Sequence, residues 1–124
     1  PQRAQGTLMC HYQHRAHTDP FCLLGLQDIT AHVNFSAVAQ AAVHGGCDWL
    51  GYASQAEFLI HGGITQYLSQ QADPQDVARY APLVAGVQKL LSPAEMGELF
   101  KVAAFGRGVS PPAALSVADR SYRL

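Results

Sequence analysis

The sequence predicts an α/β fold that supplies only part of a sheet. Three segments have the composition of short strands, residues 6–13, 48–53 and 99–105, and they lie far apart in the chain. The segments between them carry helical periodicity, capping residues and glycine stops. No strand-rich sequence lies beside the last strand, so a three-stranded sheet made from these segments alone has open edges. A portion of a larger mixed sheet explains this pattern better.

The first half of the chain alternates between extended and helical signals. The letters GTLMCHYQ, residues 6–13, have the period of two that is typical of a strand. Residues 14–27 are predicted as a loop, with Asp19 and Pro20 as its turn signal. A helix then begins at Asn34 or Ser36, both good N-cap residues, and a pair of glycines ends it before the second strand.

The second half of the chain is predicted to be mostly helical. Ser54 and Glu57 form a capping box directly after the second strand, and glycines 62 and 63 end that helix before another over residues 64–71. Asp73 is predicted as the N-cap of a helix that continues to residue 91 and that Pro82 kinks or divides. Ser92 is predicted to begin a further helix before the last strand. Residues 109–124 are predicted to be a tail that packs on another surface or is partly disordered.

The composition excludes several classes of protein. Hydrophobic residues make up 48% of the 124 residues and charged residues 14%, which is typical of a globular domain. The formal net charge is −1 with no basic stripe, so we expect no nucleic-acid partner. The apolar runs are too short to span a membrane. Three cysteines, an odd number, indicate reduced thiols in a cytosolic or matrix-like compartment.

Three histidines at intervals of three, His11, His14 and His17, draw attention as metal ligands. On a strand, that spacing places successive side chains on opposite faces, so we expect no metal site. The sequence also contains no phosphate-binding loop and no glycine-rich turn between a strand and a helix. The chain by itself is therefore expected to carry no cofactor-binding residues.

The candidate site residues are polar side chains near predicted strand ends. Asp28 and Gln55 have either a capping role or a role in lining a cleft. Glu57 is most simply the acid of the capping box. Glu98 follows a glycine between a predicted helix and the last strand, where its carboxylate either anchors a turn or holds a guanidinium group by a bidentate pair.

Four stretches, taken in order, resemble the C-terminal part of the MidA-like family of S-adenosylmethionine-dependent methyltransferases. They are GTLMCHYQHR, DITAHVNF, SQAEFLIHGGI and LLSPAEMGELFKV. The resemblance implies the C-terminal portion of a Rossmann-like class I methyltransferase fold, with a helical insertion before the last, antiparallel strand. On this basis residues 1–53 belong to the core, 54–92 to the insertion, 93–108 to the final strand and 109–124 to the tail.

The same resemblance implies a function and partners. S-adenosylmethionine would be bound mainly by an N-terminal half that this chain lacks, and that half would be its first partner. The mitochondrial members of the family are protein arginine methyltransferases that assist respiratory complex I assembly, so a complex I subunit is the implied protein substrate. Asp28, Gln55 and Glu98 match motif positions and would line the acceptor side. Without the missing half, we expect the chain to be inactive and to rearrange or form a homo-oligomer. The alternative is a non-catalytic interaction module that docks a partner through residues 64–91.

Overall fold

The computed structural model describes residues 6–124, which fall into two units, Pro1–Asn34 and Phe35–Leu124. The first unit contains the strands β1 (Met9–Tyr12), β2 (Arg15–His17) and β3 (Asp28–Thr30). The second unit contains two strands, β4 (Asp48–Ser54) and β5 (Lys101–Gly106). Its helices are α1 (Phe35–His44), α2 (Gln55–His61), α3 (Ile64–Gln71), α4 (Val77–Leu91) and α5 (Ala113–Ala118), followed by a 3₁₀ turn over Ser121–Arg123.

The first unit is a three-stranded antiparallel sheet with β1 in the centre, between β2 and β3. The predicted strand over residues 6–13 is confirmed in its centre, but the prediction of a loop from residue 14 onwards was wrong over β2. Gln13 and His14 have φ angles of 45° and 64°, which is the left-handed pair that a two-residue hairpin turn requires. Glutamine and histidine are not the residues that usually signal such a turn, so the hairpin could not be recognised.

In the second unit, β4 and β5 pair antiparallel, as predicted for the second and third strand segments. A register shift between Trp49 and Gly51 marks a bulge in β4. The strand leads directly into α2, whose N-cap is Ser54: its hydroxyl accepts a hydrogen bond from the Glu57 N–H at 3.4 Å. The predicted N-cap is therefore confirmed, but the Glu57 carboxylate accepts from the Ser54 hydroxyl and from Arg120 and not from the Ser54 N–H, as a full capping box requires. The predicted helix over residues 64–71 is confirmed as well.

The region before β5 differs from its prediction at two points. Helix α4 begins after Asp76, which caps it, while Asp73 accepts a hydrogen bond from the Gln75 N–H in a local turn. Pro82 lies inside this helix without dividing it. Ser92 does not begin a new helix but ends α4, and its carbonyl accepts hydrogen bonds from the Glu95 and Gly97 N–H groups.

The core of the second unit depends on the segment that sequence reasoning treated as a tail. Leu115 and Ala118, on α5, pack with Ala53 of β4 at 6% exposure or less. Phe58, Val102 and Ala104 pack against this cluster. Helix α5 therefore covers one face of the β4–β5 pair and is an integral part of the fold. No helix within residues 6–124 combines the length and apolarity that crossing a membrane requires.

Candidate functional site

Two carboxylates and one guanidinium group meet at the end of the β4–β5 pair, and we call these three side chains the Arg120 cluster. Arg120 donates from Nη2 to Glu57 Oε1 at 2.6 Å. Its Nη1 donates to both oxygens of Glu98, at 3.1 and 3.2 Å. Lys101 Nζ also lies 3.0 Å from Glu98 Oε1. The side chains of Arg120, Glu57 and Glu98 are 24%, 33% and 42% exposed, so the cluster is half-buried and reachable from solvent.

Local structure places both carboxylates. Glu57 lies in the first turn of α2, where the helix dipole favours a negative charge. Glu98 follows Gly97, whose N–H donates to the Ser92 carbonyl at 2.8 Å and whose carbonyl accepts from the Ala56 N–H at 3.0 Å. The first bond closes the turn after α4, and the second joins that turn to the start of α2. They thereby hold Glu98 beside Glu57.

The ion pairs shift the proton affinities of the cluster. The hydrogen bond from Lys101 lowers the pKa of Glu98, and the charges of Lys101 and Arg120 add to this effect against a smaller opposing contribution from burial. The hydrogen bond to Glu57 raises the pKa of Arg120 further above its ordinary value. Nearby, the hydrogen bond from Ser121 lowers the pKa of Asp119. Both shifts favour the ionised forms of Glu98 and Arg120.

These shifts predict how stability depends on pH. Because the folded-state pKa values of Glu98 and Asp119 are below the ordinary values of 4.5 and 3.8, their stabilisation is complete above those values. It is lost as the pH falls through the lower, folded-state pKa values. In urea titrations, the difference in unfolding free energy between the wild type and the double variant Glu98→Gln/Asp119→Asn should be constant from pH 7 down to about pH 5 and shrink below it. A difference that is the same at pH 3 as at pH 7 would contradict this assignment.

The structure places two of the three predicted site residues, Gln55 and Glu98, in the second unit and the third, Asp28, in the first. Glu98 contacts a guanidinium group, but the group belongs to Arg120 of the same chain, and a single nitrogen, Nη1, reaches both Glu98 oxygens in place of the predicted bidentate pair. Gln55 donates from Nε2 to the Leu90 carbonyl at 2.9 Å and thereby ties α2 to the end of α4. Both residues thus lie around the junction of α2 with the segment before β5.

Asp28 lies in the first unit, on β3, where it is exposed and opposite His11 of β1. A capping role for Asp28, which the sequence left open, is not what the structure shows, because this residue is in a strand and the next helix begins at Phe35. The backbone of Asp28 is instead part of the pairing between β1 and β3.

Arg120 is the residue of this cluster that sequence reasoning missed. It stands among the last residues of the chain, in DRSYRL, which carries no periodicity and no motif. The one available signal was the Asp-Arg pair after an apolar helical stretch. That pair is too common to indicate a site, and only the fold brings it to Glu57 and Glu98.

The histidines and cysteines do not form a second site among the described residues. His11 and His17 lie on β1 and β2, and His14 lies in the turn between them. Within residues 6–124, no group of three or more histidine, cysteine, aspartate or glutamate side chains is arranged to hold a metal ion. All three cysteines are free, with Cys10 buried in the first unit.

The junction between β4 and α2 does not have the form of a class I nucleotide site. A class I nucleotide site needs a glycine-rich turn between a strand and a helix. Where β4 leads directly into α2, the junction residue is the capping Ser54, which is 1% exposed and uses its hydroxyl within the turn. No step of a cofactor's chemistry is therefore assigned to these residues.

Comparison with known families finds a match for the first part of the chain. Residues 1–53 match the model of a family described as "Putative S-adenosyl-L-methionine-dependent methyltransferase". No curated protein matches the chain.

Two crystal structures of Burkholderia thailandensis proteins are similar to nearly the whole chain. One is a COG1565 superfamily member and "likely methyl transferase" bound to S-adenosyl-homocysteine: it is 58% identical, with a TM-score of 0.89 over 98% of this chain and 32% of that chain. The other is an uncharacterized protein of the same superfamily, 59% identical, with a TM-score of 0.89 over 99% of this chain and 33% of that chain. The chain thus spans about a third of the length of the solved structures it matches.

Proposed function

We propose that this chain is the acceptor-side, sheet-completing part of an S-adenosylmethionine-dependent methyltransferase. The observation that carries the proposal is the 58% identity, over 98% of the chain, to a protein that binds S-adenosyl-homocysteine. Identity at that level extends to side-chain packing as well as to the fold. The cofactor itself is assigned to the two thirds of the relative that this chain does not match.

The open edge of β5 supports a role in completing a larger sheet. Tyr52 of β4 bonds through both its N–H and its carbonyl to residues outside the sheet, at Asp119 and Arg120. Tyr52 pairs with Ala103, and antiparallel pairs alternate in the direction of their bonding groups, so Ala103 directs its own groups to the far edge of β5. We assign this edge to a strand of the remainder of the domain, which is the chain's first partner.

Exposed apolar side chains in the first unit point to the same missing partner. Phe21 is 81% exposed and Leu24 70%. Leu26 and Val33 are more than 60% exposed as well. An isolated domain seldom leaves so many large apolar groups in water, because burying each is worth about 1.5–3 kcal/mol. In the absence of that partner, the chain would form a homo-oligomer by strand pairing at the open edge of β5.

For the acceptor we propose a protein arginine, with Glu98 as the group that holds it and with Gln55 of the second unit and Asp28 of the first unit as further acceptor-side residues. Glu98 already accepts hydrogen bonds from Arg120 and Lys101, and the Arg123 guanidinium lies 3.8 Å from its Oε1. Its side chain is 42% exposed, so an acceptor guanidinium would reach it from solvent and replace one of these cations. When bound by the remainder of the domain, S-adenosylmethionine would supply the methyl group and keep the C–S electron pair on its sulfur. Glu98 would hold the acceptor guanidinium, whose reacting nitrogen would gain the methyl carbon and lose a proton to solvent.

A more specific assignment follows from the motif resemblance. We place the enzyme in the MidA-like group, in the bacterial cytoplasm, or in the mitochondrial matrix with a respiratory complex I subunit as its substrate. No comparison favours the alternative of an interaction module over residues 64–91. Helices α3 and α4 contain no fully buried residue, but nothing indicates a partner for them.

The proposal is tested in a chimera in which this chain replaces the matching third of the Burkholderia thailandensis relative. The chimera is incubated with methyl-labelled S-adenosylmethionine and with peptides that contain arginine, or lysine at the same positions. We expect label on the arginine peptides and not on the lysine peptides. The variant Glu98→Gln should lower the rate at least about tenfold without changing S-adenosyl-homocysteine affinity, because the carboxylate that orients the acceptor is lost.

The matched control is Glu95→Gln, since Glu95 lies three residues away in the same turn and is exposed. It should leave the rate unchanged. Asp28→Asn and Gln55→Ala are compared in the same way, each with its melting temperature, because Gln55 also ties α2 to α4. Equal rates for Glu98→Gln and Glu95→Gln would remove Glu98 from the acceptor site, and absence of label on every peptide would remove the arginine acceptor.

A further inference from the structure

The outer edge of β4 is closed by the chain's own last residues. We call Asp119–Leu124 the strap. Asp119 Oδ1 accepts a hydrogen bond from the Tyr52 N–H at 2.9 Å, and the Arg120 N–H donates to the Tyr52 carbonyl at 2.6 Å. The strap therefore satisfies the two groups of β4 that a neighbouring strand would satisfy at this position.

Side-chain bonds on both sides hold the strap in this place. Asp119 Oδ1 also accepts from the Ser121 hydroxyl at 2.6 Å, and the Ser121 hydroxyl in turn accepts from Trp49 Nε1 at 2.7 Å. At the far end, the Ser36 hydroxyl donates to the Leu124 carbonyl at 3.1 Å. Together with the two carboxylates that hold Arg120, these contacts attach the strap to α1, β4, α2 and the turn before β5.

The sequence of β4 makes room for the strap. Gly51, next to Tyr52, has a φ of 138°, which side-chain-bearing residues rarely adopt. A Cβ atom there would lie 3.3 Å from Leu115 Cβ and 3.4 Å from Asp119 Oδ1. The bulge in β4 and the missing side chain thus allow α5 and the strap to approach the strand closely.

We propose that the strap is a built-in substitute strand that prevents β4 from pairing with a second copy of this chain, so that strand addition occurs only at β5. Edge strands with free N–H and carbonyl groups tend to pair with other chains, and covering one edge is a known means of preventing this. The two edges of the same sheet are thereby given different roles. This inference does not depend on methyl transfer.

The test changes the β5 edge and the β4 edge of the sheet by separate substitutions. Ala103→Pro closes the β5 edge, because its N–H points outward and a proline there removes no bond to β4. In this background, Asp119→Ala opens the β4 edge, while the matched control Asp119→Asn keeps an oxygen acceptor for the Tyr52 N–H. The oligomeric state is measured by light scattering from about 10 to 500 μM protein, a range that brackets weak association, and amide exchange is measured at Tyr52.

We expect Ala103→Pro alone and with Asp119→Asn to be monomeric. Ala103→Pro/Asp119→Ala should form dimers, and its Tyr52 amide should exchange about tenfold faster or more at low protein concentration. Removing residues 119–124 should increase dimer formation and Tyr52 amide exchange further. If that truncated protein does not fold, the Asp119→Ala variant still tests the proposal. A monomeric Ala103→Pro/Asp119→Ala protein, or dimers of Ala103→Pro with the strap intact, would overturn the proposal.

Discussion

Replacing Leu115 by alanine is expected to lower the free energy of unfolding by about 2–5 kcal/mol. Leu115 is 1% exposed and lies at the centre of the second unit's core, between Ala53 and Ala118. The two neighbours are small, so they cannot move in to fill the cavity that the lost side chain would leave. The change is measured by urea denaturation followed through Trp49 fluorescence.

The same helix offers a matched control. Val117, two residues away on α5, is 69% exposed, so Val117→Ala should change the unfolding free energy by less than about 0.5 kcal/mol. Equal effects of the two substitutions would mean that α5 is not packed as described. In that case residues 109–124 would behave as the tail that the sequence alone suggests.

A second large effect is expected from Gly97→Ala. A Cβ atom at this buried glycine would overlap the Leu91 carbonyl oxygen and lie 2.5 Å from the carbonyl carbon. Because these are backbone atoms, the end of α4 or the turn itself must move. We expect a loss of at least about 2 kcal/mol in unfolding free energy. The turn also holds Glu98, so the loss of unfolding free energy caused by Glu98→Gln should be smaller in the Gly97→Ala variant than in the wild type.

Gly86→Ala is the control for this substitution. Gly86 lies within α4, and a Cβ atom there meets nothing within 4 Å. Alanine should therefore stabilise the protein by about 0.5–1 kcal/mol through its better helix propensity. If Gly97→Ala were neutral, the close approach of the turn to the end of α4 would be wrong.

The elements that could be predicted from sequence are those with local causes. Strand β4, the Ser54 N-cap and the glycines after α2 were predicted correctly, because each has a clear signal within a few residues of sequence. The start of α4 was placed three residues early, at Asp73 instead of Asp76, because both aspartates satisfy the same local rule. Asp73 stabilises a turn before the helix, so the helix begins after Asp76.

The elements that could not be predicted depend on distant residues. Strand β2 exists because it pairs with β1 through a hairpin turn of unusual composition. Helix α5 is short and begins after Pro112, with no side-chain cap, so its stability comes from burying Leu115 against β4. Local sequence propensity does not indicate an element whose folding free energy comes from tertiary packing.

For the candidate site, the sequence indicated the chemistry of one residue but not its partner. For Glu98 the sequence left two roles open, anchoring a turn or holding a guanidinium group by a bidentate pair. Arg120 provides this group, and it lies 22 positions further along the chain. No local spacing rule predicts a contact between residues so far apart. The strap could not be foreseen for the same reason.

The central claim, that this chain is one part of an S-adenosylmethionine-dependent methyltransferase whose cofactor site lies in the remainder, is tested most directly by calorimetry. S-adenosyl-homocysteine is titrated into this chain, into the chimera with the Burkholderia thailandensis relative, and into the unaltered relative. We predict binding to the relative and to the chimera with similar affinity, and no binding to the chain alone. Binding to the chain alone, or a folded chimera that does not bind, would contradict the claim.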